Sequence, residues 1–309
     1  PQNVTFSGHW QYRDRRGSLQ PVRYATVILY DWDASSQSAT YLGSTTTGAD
    51  GAWQFGPILN KDPNPRGRAL DVFAVLDLNS SKARVESPTF PWYSYQFSGY
   101  LYDEAADGNV VIDQTTESTD PNIRAIWIFD DLIRAWLYVN NQAGTDPGGA
   151  TVRYPSNRDW CCVTQFGPIE ISIVGAPSSD VVIHELGHKY MLTAGRWPGL
   201  TICPDHGIFQ VNPGGQVCAW TEGWADFFPL AVNGDPCYDR DLMAFAPCVD
   251  PLADNLEAQG WTDGRPFGDQ VEGRLAGALW DILDPVPNWP DVDGDLYVGS
   301  LAQIWNTFT

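Results

Sequence analysis

Two histidines with a glutamate beside the first are the residues of this sequence best suited to chemistry: His184, Glu185 and His188. The surrounding stretch predicts a helix that begins at Ser179 or Asp180, and residues four apart on a helix lie on one face. Both imidazoles can therefore bind one ion, while Glu185 points off that line toward a water on the metal. In this H-E-x-x-H arrangement, zinc acidifies the water and the glutamate accepts its proton. The spacing predicts one catalytic Zn²⁺ ion; two helix histidines satisfied within a core are the structural alternative.

A catalytic zinc ion needs a third protein ligand and an open fourth position. The residues after His188 do not continue as x-x-G-x-x-H, which excludes a third histidine at that spacing. The carboxylates of Glu222 and Asp226 are better candidates because they lie four apart on a second predicted helix, Ala219–Ala231. One carboxylate can bind zinc while the other accepts the outer N–H of a ligand histidine. Two surface acids at the start of a helix are the structural alternative.

The two motifs together resemble the gluzincin metallopeptidases, thermolysin and its relatives. The residues that carry the resemblance are Asp180-Val181-Val182-x-His184-Glu185-Leu186-x-His188 and Glu222-x-x-x-Asp226. The resemblance implies an α+β zincin-type catalytic domain. In that domain zinc is bound by His184, His188 and Glu222, Glu185 is the general base, and Asp226 is the outer partner of a ligand histidine.

A strand predicted over Ile169–Val174, just before the metal helix, is by this resemblance the edge strand to which an extended peptide adds. Its residues Ile171, Ser172 and Ile173 are the expected substrate-binding residues. We therefore expect a secreted zinc-dependent endopeptidase that acts on a protein or peptide, with exopeptidase action left open. The alternative is a cell-surface adhesin, or a glycan- or protein-binding module, with a non-catalytic zinc site.

Thermolysin-like enzymes also have a histidine on a later helix that stabilises the oxyanion, and the helix predicted over Asp269–Leu283 contains none. His206 is the candidate for this catalytic role. It lies inside the loop that a disulfide between Cys203 and Cys218 would close, beside the helix that carries Glu222. Further candidates are Tyr190, Tyr238 and Arg274. A structural or exposed His206 is the alternative.

A calcium site is a second expectation from the resemblance, because Asp180 matches a position that contributes to calcium binding in thermolysin. Asn233 and Asp235 follow the Glu222 helix and complete the candidate set. The run Asp291–Asp295 has oxygen ligands at alternate positions but lacks the glycine and closing glutamate of an EF-hand, so it predicts a turn.

Composition limits the classes of partner. The 309 residues include 18 basic and 38 acidic side chains, for a net charge of -20, which would repel a nucleic acid. Hydrophobic residues make up 43% of the chain, which predicts a folded protein. No run of 18 apolar residues occurs, so the sequence predicts no membrane span. Trp92, Tyr93, Tyr95 and Tyr100 leave a sugar-binding platform, and thus a glycoprotein substrate, open beside a role in packing.

The six cysteines favour an oxidising compartment, and so a secreted protein or one at the cell surface. Close spacing predicts disulfides Cys203–Cys218 and Cys237–Cys248. Cys161 and Cys162 are adjacent, and a bridge between neighbours needs unusual geometry, so their pairing stays open.

The chain is predicted to be multidomain, with an N-terminal all-β sandwich at 1–98, a linker at 99–120 and a catalytic domain at 121–309. Short β-rich runs separated by turn residues predict the sandwich. Its segments Val27–Asp33 and Thr47–Phe55 resemble the prealbumin-like modules found as carboxypeptidase regulatory-like domains. The catalytic domain is predicted to begin with a helix of about 18 residues after Asp120-Pro121. It continues with strands Ala150–Tyr154 and Ile169–Val174 and ends in a helix over Ser300–Trp305.

Overall fold

The computed structural model describes residues 2–62, 69–90, 92–157, 161–162, 167–194, 203, 207–212, 214–239, 254–256, 268–283 and 299–308. Several β-sheets and helices give the described chain a mixed α and β architecture. It divides into two compact units, Pro1–Asp130 and Asp131–Thr309. The division falls within a helix, and the predicted domain bounds remain a prediction.

The first unit consists mainly of strands. They are β1 Asn3–Arg13, β2 Leu19–Pro21, β3 Thr26–Asp33, β4 Ser38–Thr46, β5 Ala52–Leu59, β6 Val72–Asp77, β7 Ala83–Glu86, β8 Gln96–Ser98, β9 Gly108–Val111 and β10 Gln114–Thr116. Strand β1 is the centre of one sheet: its N-terminal half pairs with β5 and β9, and its C-terminal half with β2 and β10. A second sheet has the antiparallel order β4-β3-β6-β8.

Alternation of apolar residues explains why these segments form half-buried strands. Along β1, Val4, Phe6, Gly8, Trp10 and Tyr12 are buried, while the residues that alternate with them are less buried or exposed. Along β3, Val27 and Leu29 are fully buried in the same pattern of alternation. Each sheet therefore has one buried face.

Residues 99–120, predicted as a linker, contain the two strands β9 and β10. Both pair in parallel with β1, at Val4–Ser7 and Trp10–Tyr12 respectively. Their four and three residues are too short to produce a recognisable alternation, and their partner lies about a hundred positions away in the sequence. Local pattern therefore could not detect them.

The second unit contains most of the helices. The helices among the described residues are α1 Ile123–Ala143, which includes the division point, α2 Ser179–Ala194, α3 Gly215–Asn233, α4 Glu272–Leu283 and α5 Leu301–Phe308, with a 3₁₀ turn at Gly268–Gln270. Its strands are β11 Ala150–Ser156, β12 Cys161–Cys162, β13 Ile169–Ser172, β14 Cys237–Tyr238 and β15 Asp254–Asn255. The predicted helices are confirmed, and α3 begins four residues earlier than expected.

Two glycines allow the helices of this unit to approach closely. A Cβ atom on Gly187 of α2 would lie 3.3 Å from Phe228 Cβ and 3.4 Å from Ala225 Cα of α3. A Cβ atom on Gly223 of α3 would lie 2.5 Å from the carbonyl oxygen of Glu272 at the start of α4. Helix α3 is thereby held between α2 and α4, and its residues from Thr221 to Ala231 are buried.

Candidate metal centre

Five ionisable side chains from two packed helices converge in the second unit. Helix α2 supplies His184, Glu185 and His188, and helix α3 supplies Glu222 and Asp226. Relative exposure lies between 3% and 8% for all five, so water is largely excluded from them. Residues four apart on each helix share a face, and the contact at Gly187 brings these two faces together.

Three atoms form a compact triangle. His184 Nε2 and His188 Nε2 are 3.1 Å apart, Glu222 Oε2 lies 3.1 Å from His188 Nε2, and it lies 3.5 Å from His184 Nε2. Bonds of about 2.0–2.2 Å from zinc to nitrogen and oxygen ligands place tetrahedral ligands roughly 3.3 Å apart. The separations fit three ligands of one zinc ion, and the donor set, two imidazoles and a carboxylate, suits the same metal.

Asp226 lies behind the first of these histidines. Its Oδ1 is 3.0 Å from His184 Nδ1, although the alignment of the two groups falls short of a good hydrogen bond. A metal on Nε2 requires the imidazole proton on Nδ1, and a carboxylate there fixes the tautomer and the ring orientation. Asp226 therefore has the position of an outer partner of His184.

Glu185 lies beside the triangle without being one of its corners. Its Oε1 is 3.9 Å from His184 Nε2, and a ligand atom of each of His184, Glu185 and His188 lies within 4.8 Å of the others. A buried carboxylate at this distance can reach a water on a shared metal and accept its proton.

Two groups of the site, His184 and Glu222, stabilise each other's charged forms. Burial alone lowers the pKa of His184, but the carboxylates of Asp226, Glu222 and Glu185 outweigh it and hold this pKa well above its ordinary value. Burial acts to raise the pKa of Glu222, but His188 and His184 outweigh it and hold this pKa well below its ordinary value. The lowered pKa of Glu222 favours its charged form among the two imidazoles, as a carboxylate ligand of a cation requires.

The candidates for stabilising an oxyanion are placed differently. His206 lies outside the described residues. Tyr190 belongs to the core, where its ring contacts Phe228 at 5.7 Å and Trp305 at 6.1 Å between centroids. Tyr238 is buried and its ring meets that of His184 edge-on, with centroids 5.9 Å apart. Of these two tyrosines, Tyr238 is the one that borders the metal centre.

The strand expected to bind substrate is not an edge strand over its central residues. Strand β13 pairs in parallel with β11 on one side and antiparallel with β12 on the other, where Ile171 is opposite Cys161. Ser172 is buried, and its hydroxyl accepts the backbone N–H groups of Val174 and Gly175 in a turn. Ile173 is exposed. Strand β12 occupies the predicted edge at Ile171, and a two-residue strand leaves no periodic signal in the sequence. A substrate-binding role for Ile171, Ser172 and Ile173 stays a prediction.

The predicted disulfide Cys203–Cys218 is confirmed. Cys218 lies on α3 one turn before Glu222, so the bridge attaches the segment at residue 203 to the helix that carries the candidate ligand. Cys237 is also disulfide-bonded, while Cys248 lies outside the described residues. Within the described part of the chain, no helix is long and apolar enough to cross a membrane.

The candidate calcium residues do lie together. Asn233 Nδ2 donates to Asp180 Oδ1 at 2.6 Å, and Asp235 Oδ1 accepts the backbone N–H of Cys237 at 3.0 Å. Burial raises the pKa of Asp180 to about 7. Sequence reasoning missed two neighbours from α1, Asp131 and Arg134, whose contacts with this group join residues about fifty to a hundred positions apart.

Comparison with known families gives one match to this region. Residues 151–302 match the family described as the Mycolysin C-terminal domain, a stretch that contains both helices of the candidate metal centre. The match supports a metallopeptidase context for this part of the chain. No curated protein matches the chain significantly.

Solved structures show only distant similarity. A 9R-lipoxygenase from Cyanothece PCC8801 is 12% identical over 45% of this chain and 24% of that chain, with a TM-score of 0.26. A shaft pilin from Lactobacillus rhamnosus GG is 15% identical over 38% of this chain and 52% of that chain, with a TM-score of 0.20. The chain thus spans about a quarter and about half of the lengths of these two proteins, and scores this low carry no functional conclusion.

Proposed function

We propose that the chain is a secreted zinc-dependent endopeptidase, with zinc held by His184, His188 and Glu222. The observation that carries the proposal is the triangle of Nε2, Nε2 and Oε2 atoms, 3.1 to 3.5 Å apart, with the carboxylate of Glu185 beside it. A structural zinc site usually has four closed protein ligands and needs no base next to them. Three ligands and an adjacent carboxylate therefore favour catalysis over a silent site.

Each residue of the centre then has a defined task. Zinc, when bound, supplies a Lewis acid that acidifies water and polarises the peptide carbonyl. Glu185 accepts a proton from the attacking water and delivers it to the leaving amine. Asp226 holds the proton on His184 Nδ1 so that Nε2 is free to bind the metal. Burial of these carboxylates keeps competing water away and strengthens their interactions with the cation.

Protein is the proposed substrate and the extracellular space the proposed location. The match to the Mycolysin C-terminal domain supports both, and the Cys203–Cys218 disulfide supports an oxidising compartment. Strand β12 lies at the outer edge of its sheet among the described residues, which supports backbone pairing of an extended peptide with this strand. We retain the division into an accessory module at 1–98 and a catalytic region at 121–309 as part of the proposal.

The test is cleavage of a peptide library by the unmodified protein and by Glu185→Gln, with zinc content measured on both. We expect both to hold about one zinc ion and the variant to cleave about 10²- to 10⁴-fold more slowly, the usual contribution of a general base. Glu117→Gln, which alters an exposed glutamate of the first unit, is the matched control and should cleave normally.

Two other outcomes would contradict the proposal. Zinc bound without cleavage by the unmodified protein would support a binding module or adhesin with a non-catalytic site. A protein that binds no zinc would show that the ligand assignment itself is wrong.

A further inference from the structure

The start of helix α2 has a polar environment that does not fit a calcium ion. Calcium takes about six to eight oxygen ligands at about 2.3–2.6 Å. Both carboxylate oxygens of Asp180 are instead occupied by N–H donors, Asn233 Nδ2 at 2.6 Å and the backbone N–H of Asp239 at 2.8 Å. An amide nitrogen directed at the carboxylate leaves Asn233 with its oxygen facing elsewhere. Asp180 is thus engaged by Asn233 and by a backbone N–H, and the carboxylates of Asp239 and Asp235 lie near enough to raise its pKa further.

A guanidinium group faces the oxygen that Asn233 turns away. Arg134 of α1 donates through Nη2 to Asn233 Oδ1. Through Nη1 it lies 3.4 Å from both Asp131 Oδ1 and Ser179 Oγ. Ser179 in turn donates to Asp131 Oδ1 at 2.8 Å, and Asp131 is fully buried. The guanidinium group of Arg134 thus links helix α1, the first turn of α2 and the last turn of α3. We call Asp131, Arg134, Ser179, Asp180 and Asn233 the arginine clamp.

The clamp extends to the metal centre through one backbone segment. Asp239 is held at its N–H by Asp180 and at its carbonyl by Ser178, whose hydroxyl donates to it at 2.7 Å. The residue before it is Tyr238, whose ring rests edge-on against His184. The same Ser178 hydroxyl accepts the backbone N–H of Val181 at 3.1 Å and so caps the helix that carries His184. Two routes, the helix and Tyr238, therefore connect the clamp with His184.

We propose that Arg134 is a positioning residue for the metal centre, acting through the arginine clamp in the place where the resemblance to thermolysin predicts a calcium ion. The guanidinium joins three helices by directed hydrogen bonds, which a planar donor fork does with less loss of freedom than a flexible ammonium group. It touches neither metal nor substrate. Its effect is to fix the start of α2 and the ring of Tyr238, and with them the imidazole of His184. This inference rests on the proposed function, since it assigns His184 to zinc.

The test compares Arg134→Met, Arg134→Lys and the unmodified protein in a calcium-free, zinc-buffered solution. Zinc affinity is measured by competition with a chelator, and kcat and KM on a peptide. We expect Arg134→Met to weaken zinc binding about 10-fold, the lower end for loss of an outer partner of a ligand, and to lower kcat with KM unchanged. Arg134→Lys should recover part of both. Arg153→Met, which removes the ion pair with Glu170 in the same unit, is the control and should retain its zinc affinity.

The effect of added calcium on Tm tests separately whether the clamp replaces a calcium ion. A ligand that binds only the folded state raises its apparent stability, so CaCl₂ added to the unmodified protein should leave Tm unchanged. A rise in Tm would overturn the replacement of calcium by Arg134. If Arg134→Met does not fold, Ser178→Ala removes the hydroxyl that holds Asp239 and caps α2, and it should weaken zinc binding in the same direction.

The two proposals fail in different ways. Unchanged zinc affinity and kcat in Arg134→Met, with only Tm lowered, would make the clamp purely structural and overturn this inference. Absence of zinc binding in the unmodified protein would overturn the proposed function instead.

Discussion

Buried carboxylates occur in both units, and their partners differ. In the first unit, Asp31 accepts the backbone N–H of Asp71 at 2.9 Å, and burial raises the pKa of Asp31. In the second unit, Glu222 faces two imidazoles, and its pKa is held well below the ordinary value despite similar burial. The comparison shows that burial alone does not mark a functional carboxylate. The carboxylate proposed as a zinc ligand converges on histidines, whereas a single backbone N–H indicates a carboxylate that fixes a loop.

Removal of one carboxylate from each unit should give the largest difference between two variants in zinc affinity. We expect Glu222→Ala to weaken zinc binding by more than about 100-fold, since loss of even an outer partner of a ligand typically weakens it about 10- to 100-fold. Asp31→Ala leaves the N–H of Asp71 without its acceptor and should cost about 1–3 kcal/mol of stability. Its zinc affinity should be unchanged. Chelator competition and urea unfolding on both variants measure the two effects. If Glu222→Ala retained its zinc affinity, the proposed difference in role between Glu222 and Asp31 would be wrong.

Two glycines, one in each unit, allow the two units to be compared with the same substitution, glycine to alanine. A Cβ on Gly8 would lie 2.0 Å from the carbonyl oxygen of Ile112 in the first unit, and one on Gly223 would lie 2.5 Å from that of Glu272 in the second. Overpacking against backbone typically costs about 1–3 kcal/mol, so both alanine variants should unfold at lower urea concentration. Only Gly223→Ala should also weaken zinc binding, because the displaced helix carries Glu222. Equal zinc affinity in the two variants would show that the clash is relieved away from the site.

The smallest effect concerns pH, and its sign is opposite in the two units. Burial raises the pKa of Asp180 to about 7, while hydrogen bonds from Ser35 lower the pKa of Asp33 to about 2, against an ordinary value of 3.8 for both. Between 3.8 and about 7 the unfolded Asp180 binds fewer protons than the folded one, so its contribution to stability falls as pH rises. The contribution of Asp33 is present above 3.8 and is lost as pH falls through about 2.

Unfolding free energies of the unmodified protein, Asp180→Asn and Asp33→Asn across this pH range measure both contributions. Compared with Asp180→Asn, the unmodified protein should lose stability as the pH rises toward neutral. Compared with Asp33→Asn, it should lose stability as the pH falls toward the acid end of the range. Parallel pH profiles for the unmodified protein and Asp180→Asn would show that Asp180 ionises normally.

The sequence predicted those parts of the protein whose evidence is local. The H-E-x-x-H spacing and the Glu222-x-x-x-Asp226 spacing predicted helices on which the side chains share a face, and the helices are confirmed. Helix α1 was predicted from its Asp120-Pro121 start and its apolar period, and it extends to 21 residues. These signals lie within a few turns of chain, where periodicity and capping act.

The parts that could not be predicted depend on distant partners. The short strands β9 and β10 are fixed by parallel pairing with β1, and β12 by pairing with β13. The arginine clamp joins Arg134 to Asn233 across 99 positions, and neither residue belongs to a recognisable motif. Asp131, Arg134 and Ser179 are ordinary polar residues in the sequence, and only tertiary packing brings them to Asp180 and Asn233, which the sequence assigned to a calcium site.

The close approach at Gly187 also bears on the size of ion that the proposed zinc site would accept. Trp224 Nε1 donates to the carbonyl oxygen of Gly187 at 3.2 Å, and this bond and the close approach of Phe228 to Gly187 fix the separation of α2 and α3 one residue before His188. The carboxylate on one helix and the imidazoles on the other therefore cannot spread without breaking packed contacts. A divalent cation of larger radius would have to push the helices apart. If the centre binds zinc as proposed, we expect the helix crossing to select ions by size, in addition to the chemistry of the ligands.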